Sequence, residues 1–377
     1  MIATIWMSRR RVLATATVVL CVSALAISGL RAADSLPSQL TDQEFWKLSS
    51  DFSEPDGFFR SDNLLSNEIW FQTVIPDLLQ RTKGGGNVYL GVGPEQNFTY
   101  IAALKPKMVF ITDIRRGNLH EQLMYKALFE LSADRAEFVS RLFSKKRPDN
   151  LTSKTSGADL MTAYWDVPTS SEAVYKQNVK DIQDLLTKKH ALPLSQADLQ
   201  GIADNVYYNF YWFGPSINYN SSSSGGRVGG NMVNYADLMM QTDGAGVNRS
   251  FLGSEEAFQV LKDLEERNLI VPVVGNFGGP KSLRTVGKYL KEHQATVVAF
   301  YLSNVEQYLN QDGIWPQFCG NVASLPLDEH STFIRSAGGG GRGYGGGGLM
   351  SYLGSMREET RGCGAGRPPA SGVRMPR

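Results

Sequence analysis

The stretch that decides the fold spans residues 88–113 and begins Val88-Tyr89-Leu90-Gly91-Val92-Gly93-Pro94-Glu95-Gln96. A short apolar run leads into a glycine turn, then a helical pattern, then a second apolar run that ends at Asp113. The order strand, glycine turn, helix, strand, acid is typical of a site for a nucleotide-type ligand. Gly91 and Gly93 would let the backbone turn tightly, and the new helix would direct its free N–H groups at the ligand.

The residues around this turn narrow the choice of ligand. Asp113 ends the second strand about 20 residues after the turn, where a carboxylate can accept hydrogen bonds from ribose hydroxyls. Gln96 stands where the dinucleotide pattern has its third glycine, and Glu95 beside it would repel a pyrophosphate. This favours a ligand without phosphate at the turn over NAD or FAD. In the alternative interpretation, Gly91 and Gly93 only allow close packing of strand and helix, and Asp113 caps the next segment.

Two further apolar runs, residues 269–274 and 295–302, alternate with helical patterns, and Ser250-Phe251-Leu252 is a candidate short strand before them. Such alternation predicts an α/β fold with a doubly wound, mostly parallel sheet and helices on both faces. We expect residues 88–90 at the centre of the sheet, flanked by 109–111 and 271–274, with 295–301 beyond. Ligands of open α/β sheets lie beyond the carboxyl ends of the strands. Polar residues at those ends should therefore meet the glycine turn, namely Asp113, Arg115, Asn276 and Ser303.

Composition divides the 377-residue chain into six segments. Residues 1–33 are a predicted signal peptide, and 34–86 a helical lead-in. Residues 87–144 and 249–335 form the two halves of the α/β domain. They are separated by a helical and loop insertion, 145–248. Residues 336–377 form a Gly/Arg-rich tail of low complexity, which is predicted to be disordered, with residues 349–353 as a candidate ordered island within it.

The N-terminus predicts export. Arg9 and Arg10 precede an uncharged apolar run over residues 12–30, and Ala32-Ala33 offers a small-residue exit. This pattern is typical of a secretory signal of the twin-arginine type. The alternative is an uncleaved membrane anchor, because the run approaches the spanning length of about 20 residues. The protein is then periplasmic or secreted after cleavage, or membrane-anchored if the segment is retained. In an oxidising compartment Cys319 and Cys363 would either pair or stay free thiols.

The rest of the composition excludes several function classes. A formal net charge of +1 gives no reason to expect nucleic acid or an anionic membrane surface as a partner. Three cysteines and four histidines without metal-ligand spacing predict no metal site. The chain lacks the Gly-x-Ser-x-Gly elbow of α/β-hydrolases and the Gly-Lys-Ser/Thr phosphate loop. A small-molecule ligand remains the expected partner, and the oligomeric state stays open.

Weaker candidates lie around the predicted site. His120 follows Asp113 by seven residues and is more often a surface residue than a catalytic one. The aromatic residues 207–213 would form either core or an apolar pocket. The polar residues Arg60, Asp62 and Asn63 would close over a ligand in a segment before the sheet. A weaker option is a hydrolase acting through carboxylates such as Glu54, Asp56 or Glu95.

The motif Val88-x-Leu90-Gly91-x-Gly93, followed by an acid ending the second strand, resembles the cofactor signature of class I S-adenosylmethionine-dependent methyltransferases. The longer phrases at 91–100, 111–116 and 300–309 also resemble an uncharacterised family of exported bacterial proteins, over most of residues 40–335. The first resemblance implies a methyltransferase-like Rossmann domain with S-adenosylmethionine as cofactor. The candidate cofactor-binding residues are then Gly91, Gly93, Glu95, Gln96, Asp113, Arg115, Asn276 and Ser303.

The chain departs from the methyltransferase pattern in two places. Residues 275–279 read Gly-Asn-Phe-Gly-Gly, where Asp/Asn-Pro-Pro-Tyr would follow the fourth strand, and no acidic turn follows a third strand. Two hypotheses therefore stand. The protein is an exported, nucleoside-binding and methyltransferase-like protein, or it is a non-catalytic cell-envelope binding protein that keeps the fold without the cofactor. The discriminating feature is Asp113 beside an open glycine turn, because side chains that filled the turn would favour the second hypothesis.

Overall fold

The computed structural model describes residues 36–219, 221, 233–338 and 349–363. The predicted signal peptide lies outside the described residues, and so do most of the Ser/Gly-rich loop and parts of the predicted tail. In the part that is described, no helix has the length and apolar character needed to cross a membrane.

The described residues form a mixed α/β fold around a seven-stranded, mostly parallel sheet. Its strands are β1 (Glu68–Ile69), β2 (Val88–Gly91), β3 (Met108–Asp113), β4 (Ile270–Val274), β5 (Val297–Ser303), β6 (Thr332–Gly338) and β7 (Leu349–Ser355). They are arranged in the order β1-β7-β6-β5-β2-β3-β4. The pairs β4–β3, β3–β2, β2–β5 and β5–β6 are all parallel, and β7 runs antiparallel to β6.

The predicted sheet is confirmed in its parallel strands, but the predicted neighbours of β2 are partly wrong. β2 lies between β3 and β5, with Tyr89 opposite both Val109 and Ala299, whereas β4 lies beyond β3 at the sheet edge. The sequence suggested a short strand at residues 250–252, which the structure shows as a turn. Ile270–Val274 is therefore the third strand of the central set and extends the sheet past β3 instead of flanking β2.

Helices surround the sheet, and their starts follow ordinary capping chemistry. Thr41 accepts a hydrogen bond from the Glu44 backbone and completes a capping box, and Ser254 caps its helix at the Ala257 backbone. The helices are α1 (Asp42–Phe52), α2 (Ile75–Arg81), α3 (Gln96–Leu104), α4 (Arg116–Leu131), α5 (Arg135–Leu142), α6 (Gly157–Trp165), α7 (Glu172–Asp184), α8 (Gln196–Gln200), α9 (Tyr208–Phe213), α10 (Tyr235–Met240), α11 (Glu255–Glu266), α12 (Ser282–Glu292), α13 (Val305–Gln311), α14 (Trp315–Ala323) and α15 (Met356–Glu359). Single π-helical turns, Leu185–Lys189 and Gly201–Tyr207, follow α7 and α8, and short 3-10 turns lie at Phe71–Val74 and Gly214–Ser216.

Strands β2, β3 and β4 are buried along their whole length, although β4 lies at the sheet edge. Strands buried on both faces are typical of a parallel sheet covered by helices on either side. Helices α6 to α10 lie within residues 145–248, the segment predicted as a helical and loop insertion.

The prediction of a disordered tail is wrong for part of its length. β6 continues to Gly338, and residues 349–355 pair with it as β7 from Gly338↔Leu349 to Thr332↔Ser355. Cys363 forms a disulfide with Cys319 of α14. β7 contains residues 349–353, the stretch of the tail that the sequence marked as a candidate ordered island. Pairing with β6 and the disulfide of Cys363 hold this part of the tail in the fold.

Candidate functional site

A cleft opens where the carboxyl ends of β2, β3, β4 and β5 meet. Gly93 lines it after β2, Asp113 at the end of β3, Asn276 after β4 and Ser303 at the end of β5. The cleft has a volume of about 160 Å³. A single buried water needs a volume of only about 10–15 Å³. The space therefore suits a small organic molecule rather than a lone ion.

The glycine turn presents an open face to this cleft. Gly93 has φ +75°, and no heavy atom lies within 4 Å of the position that a Cβ would take. Amide side chains fix the turn through its carbonyl groups. The Nδ2 of Asn118 and the Nε2 of Gln122 both donate to the Gly93 carbonyl, at 2.9 and 3.0 Å. Asn97 donates to the Pro94 carbonyl at 2.7 Å. The turn is rigid, and its cleft side is free of side chains.

Gly91 plays a different part from Gly93. It does not line the cleft, and a Cβ at this position would collide with the side chain of Asn97 and press against the Tyr89 ring. The Tyr89 hydroxyl donates to Asn97 Oδ1 at 3.0 Å, so both neighbours are fixed. Gly91 is thus required for the close packing of β2 on the start of α3.

Asp113 and Arg115 form a buried bidentate ion pair at the cleft wall. Oδ1 of Asp113 accepts from Arg115 Nε at 3.1 Å and from its backbone N–H at 2.9 Å, while Oδ2 accepts from Nη2 at 3.1 Å. Burial opposes the charge of Arg115, but the Asp113 carboxylate together with the charges of Glu121 and Asp62 outweighs burial and raises the pKa of the guanidinium. Arg115 also donates to the Asp62 carbonyl and, at 3.3 Å, to the Ser61 carbonyl.

Residues 53–63 cross the carboxyl ends of β3 and β4, and we call this segment the strap. Glu54 fixes one end, because its carboxylate accepts from the backbone N–H groups of Asn276, Lys281 and Ser282 at 2.9–3.1 Å. Gly57 N–H donates to the Ile114 carbonyl at 2.8 Å. The strap is therefore bound to the sheet edge by main-chain contacts.

The strap supplies part of the cleft wall through Phe58, Phe59 and Asn63. Phe58 is 86% exposed, so an apolar ring stands at the mouth of the cleft with little protein against it. Of the three strap candidates from the sequence, only Asn63 lines the cleft. Arg60 instead donates to the Tyr308 hydroxyl at 3.0 Å, and Asp62 offers its carbonyl to Arg115.

Two non-glycine residues at the cleft have left-handed backbones. Ser303 has φ +50° and follows an irregularity in the pairing of β5 with β6, and Asn63 has φ +47°. Asn tolerates this region better than most residues, but Ser seldom adopts it. Strained backbone of this kind concentrates at functional sites, where surrounding contacts hold it in place.

Glu95 and Gln96 are fully buried and do not line the cleft. Gln96 belongs to a hydrogen-bonded group that we call the Glu68 network. Its Nε2 donates to Glu68 Oε2 at 2.8 Å, Tyr301 donates to Glu68 Oε1 at 2.6 Å, and Ser351 donates to Oε2 at 3.0 Å. Gln96 therefore links β1, α3, β5 and β7 through the hydrogen bonds of this network and does not face the cleft.

Glu95 lies in a second buried group, which we call the Glu95–Glu121 cluster. Its members are Glu95, Glu121, Gln122, Tyr125 and Tyr235. Burial raises the pKa of Glu95 to about 8. Burial, followed by the charge of Glu95, raises the pKa of Glu121 well above its usual value.

Glu121 and Gln122 are not among the candidates that the sequence predicts, because polar residues within a helical pattern normally face solvent. Nearly every residue of this helix from Asn118 to Phe129 is buried, including the polar ones. The available signal was the density of polar residues in a segment directly after the candidate acid, Asp113.

The remaining candidates lie away from the cleft. His120 Nε2 lies 2.9 Å from Asp198 Oδ1, to which Arg116 Nε also donates at 2.7 Å. Burial lowers the pKa of His120. Half of the aromatic residues in 207–213 belong to the core, since Tyr207, Phe210 and Tyr211 are buried, whereas Trp212 is 60% exposed.

The chain is thus an α/β protein with a cleft at the carboxyl edge of its sheet. Residues 64–353 match the model of a family described as a domain of unknown function, DUF7790. The match covers more than half of the chain, and the protein belongs to this family. A comparison with curated proteins gave no match.

Proposed function

We propose that this protein binds a nucleoside-type ligand in the cleft at the carboxyl ends of β2 to β5, with S-adenosylmethionine as the first candidate. The observation that carries the proposal is the open face of the Gly93 turn, which meets Asp113, Asn276 and Ser303 in one cleft. A rigid turn with an unfilled cleft side is what close approach of a ligand to backbone requires.

The strand order supports a methyltransferase-like Rossmann core. From the central strand β2 the chain adds β3 and β4 on one side, then β5 and β6 on the other. This is the reversal of the doubly wound class, whose ligands bind in the crevice at the switch point. The cleft lies at that point, since both β2 and β5 contribute to it.

The charges of the cleft favour a ligand without phosphate. Among its described lining residues the charged ones are Asp113, Asp312 and Arg115, and the arginine is already paired with Asp113. Glu95 does not face the cleft, so the preference rests on these acids instead. A ligand with an amino group and a sulfonium matches this balance better than a pyrophosphate does.

A second candidate is a non-catalytic cell-envelope binding protein that keeps the fold without the cofactor. The observation in its favour is the Asp113–Arg115 pair, because both carboxylate oxygens already accept hydrogen bonds. A ribose would have to share Asp113 with Arg115. We assign no catalytic residue. Methyl transfer is the proposed reaction class only on the condition that S-adenosylmethionine binds.

Calorimetry with S-adenosylmethionine and S-adenosylhomocysteine tests the ligand. We expect saturable heat from at least one of them, and mass spectrometry of natively purified protein should detect a nucleoside-type molecule. Absence of heat from both ligands on well-folded protein, together with no released small molecule, would leave the second candidate.

We also propose export to the periplasm or beyond, from the Arg9-Arg10 pair and the apolar run after it. The Cys319–Cys363 disulfide supports an oxidising destination, where such bonds persist. Changing Arg9 and Arg10 to Lys should keep the protein in the cytoplasm, and the mature chain should begin near Ala33 or Asp34. Unchanged export of the double variant would exclude the twin-arginine route, and a retained N-terminus would favour the membrane anchor.

A further inference from the structure

The cleft has two zones of different chemistry. Its floor contains the buried Gly93 turn and the buried pair of Asp113 with Arg115. The second zone is formed by the strap and α13, and we call it the mouth groove. It is lined by Phe58 and Phe59 of the strap and by Val305, Tyr308, Leu309 and Asp312.

One face of α13 forms a wall of the mouth groove. Val305, Tyr308, Leu309 and Asp312 follow the spacing i, i+3, i+4 and i+7, which places them on the same side of a helix. At a rise of 1.5 Å per residue, this face extends for about 10 Å. The wall begins with apolar and aromatic side chains and ends with a carboxylate.

The strap forms the opposite wall and is joined to α13. The Phe59 ring meets the Tyr308 ring edge-on, with 5.0 Å between the centroids, and Arg60 donates to the Tyr308 hydroxyl at 3.0 Å. These contacts fix the Tyr308 ring. Phe58 also lines the cleft but is largely exposed, so most of its apolar surface is available to a ligand.

The mouth groove carries one negative charge. Among the described lining residues Asp113 and Arg115 pair with each other, which leaves Asp312 as the unbalanced charge. Arg60, the cation of the strap, donates to Tyr308 instead. Asp312 is exposed and is the C-cap of α13, where the helix dipole disfavours a carboxylate. Helix stability therefore does not explain this acid, whereas a cationic ligand does.

We propose that the mouth groove binds a small amine with an aromatic or alkyl body. The apolar body lies against Phe58 and Tyr308, and the ammonium group faces Asp312. Tyr308 and Asp312 are one helical turn apart, about 6 Å along the axis, so a short alkyl chain can connect the two contacts. This assignment rests on the proposed function, because the amine is the second ligand of the cleft that holds the nucleoside-type ligand.

Three probes with the same aromatic body test the end group: phenylbutylamine, phenylbutanol and phenylbutyrate. Calorimetry on the full chain at low ionic strength, with and without S-adenosylhomocysteine, measures their affinities. We expect the amine to bind about fivefold more tightly than the alcohol, the scale of one exposed ion pair. The acid should bind most weakly. The preference for the amine should disappear at about 1 M salt, where the screening length is about 3 Å.

Two variants separate the charge from the apolar contact. Asp312→Asn should remove the preference for the amine and leave the affinity for the alcohol unchanged. Phe58→Ala should weaken all three probes by about tenfold, because it removes buried apolar contact from each complex. Both side chains are exposed, so neither change should disturb folding. Asp149→Asn and Trp212→Ala are the matched controls, because these side chains are exposed but do not line the cleft.

Several results would overturn the proposal. Equal affinities for amine and alcohol, or a preference that persists in Asp312→Asn, would show that Asp312 does not recognise the ligand. Unchanged affinities in Phe58→Ala would exclude the mouth groove as the site. Binding of S-adenosylhomocysteine without saturable binding of the amine would remove this assignment and leave the proposed function. Binding of the amine without any adenosyl ligand would remove the proposed cofactor and leave the groove.

Discussion

Glu95 and Gln96 are consecutive, fully buried and polar, yet their surroundings are opposite. Every polar atom of Gln96 has partners in the Glu68 network, which includes Ser66, Tyr100 and Tyr301. Glu95 keeps one oxygen without a partner, in a cluster where most polar atoms are in the same state. A satisfied network stabilises the fold, whereas the open turn directly before Glu95 is where a ligand is expected.

The largest expected effect on stability comes from the Glu68 network, whose buried polar groups are hydrogen-bonded to one another. Glu68→Ala leaves the Gln96 amide and the hydroxyls of Tyr301 and Ser351 without their acceptor. Each abandoned buried donor costs about 1–3 kcal/mol, so the free energy of unfolding should fall by roughly 3 kcal/mol or more. Urea unfolding measures this, with the exposed Glu256→Ala as control. If Glu68→Ala is as stable as the wild type, the Glu68 network does not stabilise the fold, and the contrast drawn between Gln96 and Glu95 fails.

The two glycines of the turn should separate packing from binding. Gly91→Val should lower the free energy of unfolding by about 2–3 kcal/mol, because the new side chain overpacks against Asn97 and Tyr89. Gly93→Val meets open space but must adopt φ +75°, which costs about 1–3 kcal/mol. The Gly93 variant should fold and lose adenosyl ligands in calorimetry. Ligand binding that survives in folded Gly93→Val would show that the open turn is not the contact surface.

The features that depend on local sequence patterns were predicted correctly. The predictions failed where contacts between residues far apart in the chain determine the structure. Gly93, Asp113, Asn276 and Ser303 meet at one edge, as expected, because parallel strands end together. The position of β4 depended on residues 250–252 forming a turn, which a Ser-Phe-Leu triplet does not reveal.

The burial of Glu95 and Gln96 was hidden for a different reason. Polar residues at a helix start normally face solvent, and only the partners at Glu68, Ser351 and Glu121 explain these positions. Those partners lie far away in the chain, and β7, which carries Ser351, is in a region whose glycine content predicts disorder.

Substitution of Asp113 tests whether its carboxylate contacts the ligand in the cleft. Asp113→Ala should weaken adenosyl binding by about 1–3 kcal/mol, the scale for losing a charged hydrogen-bond partner. Asp134→Ala is the matched control, because Asp134 also forms a bidentate pair, with Arg147 at 2.8 and 2.9 Å, away from the cleft. Calorimetry on both separates ligand contact from loss of an ion pair. Undiminished binding in Asp113→Ala would move the ligand toward Asn276 and Ser303.

The smallest effect concerns two glutamates whose pKa burial raises to about 8, Glu95 and Glu265. A carboxyl that holds its proton in the folded state, but has lost it in the unfolded state, binds more protons when folded between about pH 4.5 and 8. Its contribution to stability is therefore greatest at low pH, falls as pH rises through this window, and is lost above it. Glu265→Gln should remove part of this fall, by about 1 kcal/mol or more between pH 5 and pH 8.5, in urea unfolding.

Glu95→Gln should reduce the fall in stability between pH 5 and pH 8.5 much as Glu265→Gln does, because burial raises the pKa of both carboxyls to about 8. The measurement is urea unfolding of wild type and both variants at pH 5 and pH 8.5. If Glu95→Gln leaves the pH dependence of the wild type unchanged, Glu95 is not a buried acid that holds its proton, and its contrast with Gln96 reflects hydrogen bonding alone.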